Sequence, residues 1–294
     1  MSFTTVIAGY SYLEGPRWYQ RRLWLSDFFL HKVFAVGLDG AVETIVEVPG
    51  RPSGLGWLPD GRLLVVSMTD RKVMRREADG ALVVHADLSG LLEGNANDMV
   101  VEPGGRAWVG NFGFDLTNPD EVRTGRVIRV EPDGRAVVAA EDLYFPNGLL
   151  VTADGRNLIV AESLGNRLSA FEIGADGGLG RRRDWAVFGP QTQSRHFLDY
   201  VTAAKVAADG TCLDAEGAVW LADALGNRVL RVAQGGRILQ EISTGAMGVF
   251  ACALGGDDGR SLFLCVAPDF HEAARQAARE AELWMTRVEV PGVC

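Results

Sequence analysis

Four oxygen-bearing side chains stand at nearly one distance ahead of an apolar run. Asn97 lies eleven residues before Trp108, Asn147 eleven before Leu158, Asp209 eleven before Trp220, and Glu14 ten before Trp24. Taken singly, each has a plain explanation, since Glu14-Gly15, Asn147-Gly148 and Asp209-Gly210 are dipeptides of turns and Asx-type caps. The recurrence asks for another. Two amides and two carboxylates gathered in one place form a set of oxygen donors with two formal negative charges. Two carboxylates that share a site without compensation resist ionisation. A divalent cation resolves this. All-oxygen ligation suits the hard ions Ca²⁺, Mg²⁺ and Mn²⁺ better than a structural zinc, which prefers Cys and His. One divalent ion is therefore expected as cofactor, calcium first, with Mg²⁺, Mn²⁺ or Zn²⁺ as the other candidates.

Such a set assembles only if the chain repeats, and it does. One apolar strand recurs six times, as LWLSDF at 23, LLVVSM at 63, AWVGNF at 107, LIVAES at 158, VWLADA at 219 and LFLCVA at 262. Each leads into a second strand that ends at a turn, as in KVFAVGLDG, KVMRREADG and RVIRVEPDG. The Asp-Gly and Gly-Gly pairs supply the positive φ of tight hairpins. The copies are about 40 to 60 residues apart, the range of propeller blades. A lone four-stranded sheet leaves an apolar face uncovered, so copies must stack, and radial stacking closes a ring. The expected fold is all-β, a six-bladed β-propeller of one domain over residues 1–294. The sixth unit is short of an outer strand, and the orphan run TTVIA at 4 is expected to close the last blade. In a propeller the first strand of each blade lines the channel, so equivalent side chains meet at one axis. The same slot falls on Ser53 in the second unit and near Phe250 in the sixth.

Composition narrows the function. A net charge of -9 argues against a nucleic-acid partner, and Arg181 to Arg183 reads as a solvated strand edge. The four cysteines, Cys212, Cys252, Cys265 and Cys294, have no CxxC spacing and read as small buried hydrophobes of a reducing compartment. No window has the length of a membrane span and the N-terminus has no basic region leading into an apolar run, which together imply a cytoplasmic protein with no membrane partner. No G-x-S-x-G is present to make a serine nucleophile elbow. The histidines His31, His85, His196 and His271 lack metal-ligand spacing and are expected on the surface or in loops.

The stretches EGPRW, NDMVVEPGGRAWVG, FPNGL and ADGTCLDAEGAVWLAD resemble signatures of the SMP-30/gluconolactonase/luciferin-regenerating-enzyme family, in the family's order from about Glu14 to the end. The resemblance implies a six-bladed propeller with one divalent metal on the axis and hydrolysis of a lactone or related ester. It implies Glu14, Asn147 and Asp209 as metal ligands, Asp209 also as general base to a metal-activated water, and Asn97 as the substrate-contacting asparagine. Members acting on sugar lactones commonly carry an arginine two residues before that asparagine, where this chain has Asn95. Polyhydroxylated sugars are less secure as substrates for that reason. The rim candidates Phe28, Phe29, Met68, Phe112, Phe114 and Phe145 suit a more apolar acyl or aromatic lactone, although aromatics in strands are more often core. Related propellers with phosphotriesterase activity use similar axial calcium sites, and a non-enzymatic binding propeller stapled by its metal is a further alternative.

Two excursions break the repeat. The run GPQTQSRHFLDYVTAAKVA before Asp209 widens the fifth interval, and long loops are often lids. Arg195, His196, Phe197 and Tyr200 would then cover the metal end and His196 would contact substrate, while a plain surface excursion explains the run equally well. DLTNPDEVRT from Asp115 would form another part of the rim, and HEAARQAAREAELW from His271 has the composition of a short helix. The expected partner is a small-molecule lactone or ester; the sequence leaves the oligomeric state open.

Overall fold

A computed structural model describes residues 2–116, 118 and 120–293. They form six antiparallel four-stranded sheets arranged as the blades of a propeller. In the first blade Leu13–Tyr19, Arg22–Asp27, Lys32–Val36 and Val42–Glu47 pair in chain order, and blades two to five repeat that meander. The sixth takes Gly248–Gly255, Ser261–Ala267 and Ala281–Arg287 from the end of the chain and Thr4–Tyr10 from its beginning. Thr4–Tyr10 pairs antiparallel with Ala281–Arg287, from Thr4 opposite Met285 to Tyr10 opposite Ala281.

The innermost strands are Leu13–Tyr19, Pro52–Trp57, Ala96–Val101, Pro146–Val151, Ala208–Leu213 and Gly248–Gly255. Each touches the innermost strand of both neighbours, and the cycle returns from Gly248–Gly255 to Leu13–Tyr19. The recurrent apolar strand is the second of each blade. Leu63–Ser67, Ala107–Asn111, Val219–Asp223 and Ser261–Ala267 are buried along their whole length. Both of their faces pack against neighbouring blades, which is why the sequence shows a continuous apolar run there instead of alternation. Burial fades outward, and the fourth strand Val42–Glu47 is mostly exposed. Arg183 opens the outer strand Arg183–Val187 of blade four and is exposed.

Three long excursions, 112–124, 188–207 and 268–280, leave the face at which the innermost strands begin. Two contain short helices, Phe197–Ala203 and Glu272–Ala277. The first two are tied by a hydrogen bond from Val122 N to Arg195 O of 2.9 Å, and the third is held to blade two by an ion pair of 2.6 Å between Arg51 and Glu272. Residues 117 and 119 of the DLTNPDEVRT excursion lie outside the described residues, as does Cys294. Cys252 and Cys265 are buried and Cys212 is half-buried, all as free thiols. His85 departs from its surface expectation: it is buried in the outer strand Leu82–Asp87 beside Arg75, and desolvation holds its ring below the usual histidine range.

Glycine sets how closely the blades meet at the axis. A Cβ on Gly148 would lie 2.5 Å from Asp209 O and 2.8 Å from Thr211 N, and one on Gly54 2.2 Å from Met99 N. Both obstacles are backbone of the next blade, so neither can swing aside. Gly148→Ala is expected to cost about 1–3 kcal/mol by forcing blades four and five apart. The check is the urea midpoint, and an unchanged midpoint would show that the ring does not depend on this contact.

Candidate active site

Every innermost strand carries a register irregularity at the slot. The break falls between Glu14 and Arg17, Pro52 and Leu55, Ala96 and Met99, Pro146 and Leu149, Ala208 and Thr211, and Val249 and Ala251. A bulge re-aims the side chain it displaces. Here it turns Glu14, Ser53, Asn97, Asn147, Asp209 and Phe250 into the channel, where all are buried. The X-Gly pairs at 14, 147 and 209 are therefore bulge and close-approach positions within strands, and of their glycines only Gly15, at φ +56, needs a left-handed backbone.

The structure brings the sequence candidates together. Asn97 Nδ2 donates to Asn147 Oδ1 at 2.9 Å, Ser53 Oγ donates to Asn97 Oδ1 at 3.3 Å, and Asn147 Nδ2 donates to Ser163 Oγ at 3.1 Å. Ser163 in turn donates to Ala208 O at 2.7 Å, which fixes the approach to Asp209. Gly15 N donates to Glu14 Oε2 at 3.0 Å. The first four of these bonds run from blade two to blade five, and the last stays within blade one. Asp209 Oδ1 is buried without a hydrogen-bond partner.

Burial dominates the electrostatics. Desolvation raises Glu14 to about 8, helped by the Asp98 carboxylate and opposed by the Gly15 N–H and Arg17. Asp209 is likewise pushed well up, by desolvation first and then by Glu14 and Asp98, with the Gly210 N–H and the Asn147 amide pulling the other way. The two carboxylates sense one another across the axis, and the ring is short of positive charge. Among the described residues no cluster of three or more His, Cys, Asp or Glu side chains is placed to hold a metal. A cation would thus depend on the amide oxygen of Asn147 beside the two carboxylates. That set of hard oxygens, with an orphaned Asp209 Oδ1, fits a hard divalent ion.

The remaining candidates fall around this ring. Asn95 is half-buried two residues ahead of Asn97, and its carbonyl accepts from Phe112 N at 3.0 Å. The Phe112 ring packs on Phe145 at 4.5 Å, and Phe145 meets Phe114, which meets Phe197 of the long excursion. On the opposite side Tyr12 packs on Phe250 at 4.9 Å and on Phe28 at 5.3 Å. His196 does not reach the ring: it is exposed and bonds Asp120 through Nδ1 at 3.0 Å, a carboxylate that raises the imidazole's pKa.

Sequence reasoning missed a second set of carboxylates, at the ends of the second strands. Asp27 accepts from the N–H groups of Ser11, Phe29 and Leu30, Glu162 from Tyr144 N, and Asp223 from Ala207 N. All three are buried and clamp the backbone that enters the slot. Their signal was present in LWLSD, LIVAE and VWLAD, whose last residue is acidic each time where an apolar strand ends.

The family described as SMP-30/Gluconolactonase/LRE-like region matches residues 13–268. A 6-deoxy-6-sulfogluconolactonase of Pseudomonas putida is 26% identical over 284 residues, 95% of this chain and 92% of that protein. A pentonolactonase of Haloferax volcanii is 25% identical over 262 residues, 86% of this chain and 81% of that protein. The crystal structure of a calcium-binding protein, regucalcin, from Agrobacterium tumefaciens superimposes with a TM-score of 0.80 at 22% identity, over 99% of this chain and 95% of that one.

The raised carboxylates carry a sign for stability. Glu14 holds its proton up to about 8 when folded against the usual 4.5, so within that window the folded metal-free chain binds a proton that the unfolded chain has lost. Stability of chelator-treated protein should fall as pH rises from about 4.5 to about 8, by roughly a few kcal/mol. Urea titrations across that range would show it, and a Glu14→Gln variant with the same slope would remove Glu14 as the cause.

Proposed function

Since the chain belongs to the SMP-30/gluconolactonase/LRE-like family, we propose that it is a divalent-metal-dependent lactonase that opens an intramolecular carboxylic ester at the axial ring. One observation carries the reading: two buried carboxylates, both pushed toward protonation, meet beside paired asparagines, and one of their oxygens has no partner. The lactonase names of two relatives support the reaction class, and the calcium-binding description of the regucalcin structure supports the choice of Ca²⁺.

Glu14, Asn147 and Asp209 would hold the ion. When bound, such an ion supplies Lewis acidity that polarises a carbonyl and acidifies water. The chain's own residues do the rest. Asp209 takes the proton of the attacking water and returns it to the leaving alkoxide. Asn97 Nδ2 has two hydrogens, one bonded to Asn147 Oδ1, and offers the other to the substrate oxygen on which charge develops. Ser53 holds the Asn97 amide in the orientation that makes this possible. Tyr12, Phe28, Phe112, Phe145 and Phe250 surround the ring on its open side, and with Asn95 in place of an arginine they favour an apolar acyl or aromatic lactone over a polyhydroxylated one. All four slot carboxylates and amides are buried, so substrate entry requires this aromatic cover and the 189–207 excursion above Phe114 to shift.

The test is acid release from aliphatic, aromatic and sugar lactones and from a phosphotriester, after chelation and after restoring Ca²⁺, Mg²⁺, Mn²⁺ or Zn²⁺. Turnover of an apolar lactone, lost on chelation and restored by Ca²⁺, is expected. Turnover of the phosphotriester alone would reassign the reaction. Asp209→Asn should keep the fold by circular dichroism and lose roughly 10²-fold or more in kcat; full activity in that variant would take Asp209 out of the mechanism.

A further inference from the structure

Two thiols meet where blades five and six adjoin. Cys212 lies on Ala208–Leu213 and Cys252 on Gly248–Gly255, the innermost strands of those blades, and their sulfurs are 3.9 Å apart. The backbones are close here as well: a Cβ on Gly210 would lie 2.6 Å from Ala251 Cβ and 2.7 Å from Ala251 Cα. The two cysteines differ in access. Cys252 is 1% exposed, and its S–H has Gly210 O at 3.5 Å and Trp220 O at 3.6 Å as acceptors. Cys212 is half-buried and stands near the end of its strand, toward the face opposite the three excursions.

A buried cysteine is ordinarily a small hydrophobe. That accounts for Cys265, buried in the second strand of blade six, and for Cys252 taken alone. Contact between the sulfurs of separate blades, one of them open to solvent, adds a chemistry that neither thiol has by itself. A disulfide needs its sulfurs about 2.05 Å apart. The remaining closure falls to the two side chains, because the strands already touch.

We propose that Cys212 and Cys252 are an oxidant-responsive modification site, at which a hydroperoxide joins the innermost strands of blades five and six by a disulfide. The Cys212 thiolate attacks one oxygen of the peroxide; an S–O bond forms, the O–O bond breaks, and hydroxide leaves and takes up the proton that the thiol gave up. Cys252 then attacks the sulfenic sulfur of Cys212; the S–S bond forms, the S–O bond breaks, and the hydroxyl leaves as water with the Cys252 proton. Together the thiols lose two electrons and two hydrogens, and one peroxide becomes two waters. Burial sets the order, since it pushes the Cys252 thiol well up and leaves it a poor first nucleophile. Contact compensates in the second step, where the sulfurs need not search for one another. None of this requires the ring to be a lactonase site.

The test treats the full chain with hydrogen peroxide, blocks the remaining thiols, digests without reductant and maps the peptides by mass. A cross-linked pair of peptides holding Cys212 and Cys252 is expected, opened again by dithiothreitol, with Cys265 still a free thiol. Cys252→Ala should stop the reaction at the sulfenic acid of Cys212, trapped by dimedone. Cys212→Ala should slow the loss of the Cys252 thiol roughly tenfold or more. Recovery of Cys212 and Cys252 unjoined, or of Cys212 joined to Cys265 or Cys294 instead, would overturn the inference. The peptide map is made on the unaltered chain, so it decides the matter even where a variant fails to fold.

Discussion

The structure is governed by the cost of keeping Glu14 and Asp209 together away from water. An unpaired buried carboxylate costs several kcal/mol on order-of-magnitude grounds, and two of the same sign cost more than twice as much as one. Most of the local backbone around the axis can be understood as holding that arrangement in place. The bulge in each innermost strand aims the side chain inward. Gly15, Gly148 and Gly210 let adjacent blades approach until the side chains face each other. Asp27, Glu162 and Asp223 use the N–H groups of the entering loops, so the strands cannot relax away from the axis. A propeller suits such a constraint because each blade is braced by two neighbours, and strain at the centre is distributed round a closed ring.

The fold was legible because its strongest sequence signal and its deepest burial coincide. The second strand of each blade is covered on both faces, so it must be apolar throughout, and six such runs survive in the sequence as a period. The slot was legible for a related reason. A fixed hairpin joins innermost to second strand in blades three, four and five, so Asn97, Asn147 and Asp209 stand at one distance from their apolar neighbours; the shorter turn at Gln20 and Arg21 accounts for the count of ten at Glu14. What escaped was whatever depends on backbone irregularity or on partners distant in sequence. The bulges left only a glycine after the slot in four blades, a dipeptide that reads as a turn until the strand pairing is seen. Arg17 looked like an ordinary strand arginine because its partner Asp98 is 81 residues away. His85 was expected at the surface because it lacks metal-ligand spacing, but it falls on the buried stretch of its outer strand.

The aromatic residues show where pattern reasoning divides. Phe28, Met68, Phe112 and Phe114 are buried and belong to the core by any measure of exposure, yet they sit at the mouth of the ring. In a channel closed by its own side chains the two descriptions are compatible. The same ring that packs on a neighbour when the channel is shut becomes a wall when it opens. Phe145 illustrates the point: it lies two residues before Asn147, adopts a left-handed backbone at φ 59, and its ring joins Phe112 on one side and Phe114 on the other. A non-glycine residue held there stores strain of about 1–3 kcal/mol, which persists only where the surroundings enforce it. Arg51 occupies the equivalent position before Ser53 and is also left-handed, at φ 66.

Those two positions suggest why neighbouring blades can diverge in function while the ring is kept. The slot residue is fixed by the bulge and by the glycine behind it, and a change there disturbs the axis. The residue two before it sits on the loop that enters the strand: Tyr12, Phe145 and Ala207 lie beside the carboxylate clamps of Asp27, Glu162 and Asp223, and Arg51 and Asn95 take the same place in blades two and three. The backbone at the axis is therefore decoupled from the side chains at the mouth. Ion and proton chemistry can stay constant on the slot residues while the preceding loop positions vary from blade to blade and decide what is admitted. That separation follows from geometry alone, since it needs only that the bulge, and not the loop, determines where Glu14, Asn97, Asn147 and Asp209 point.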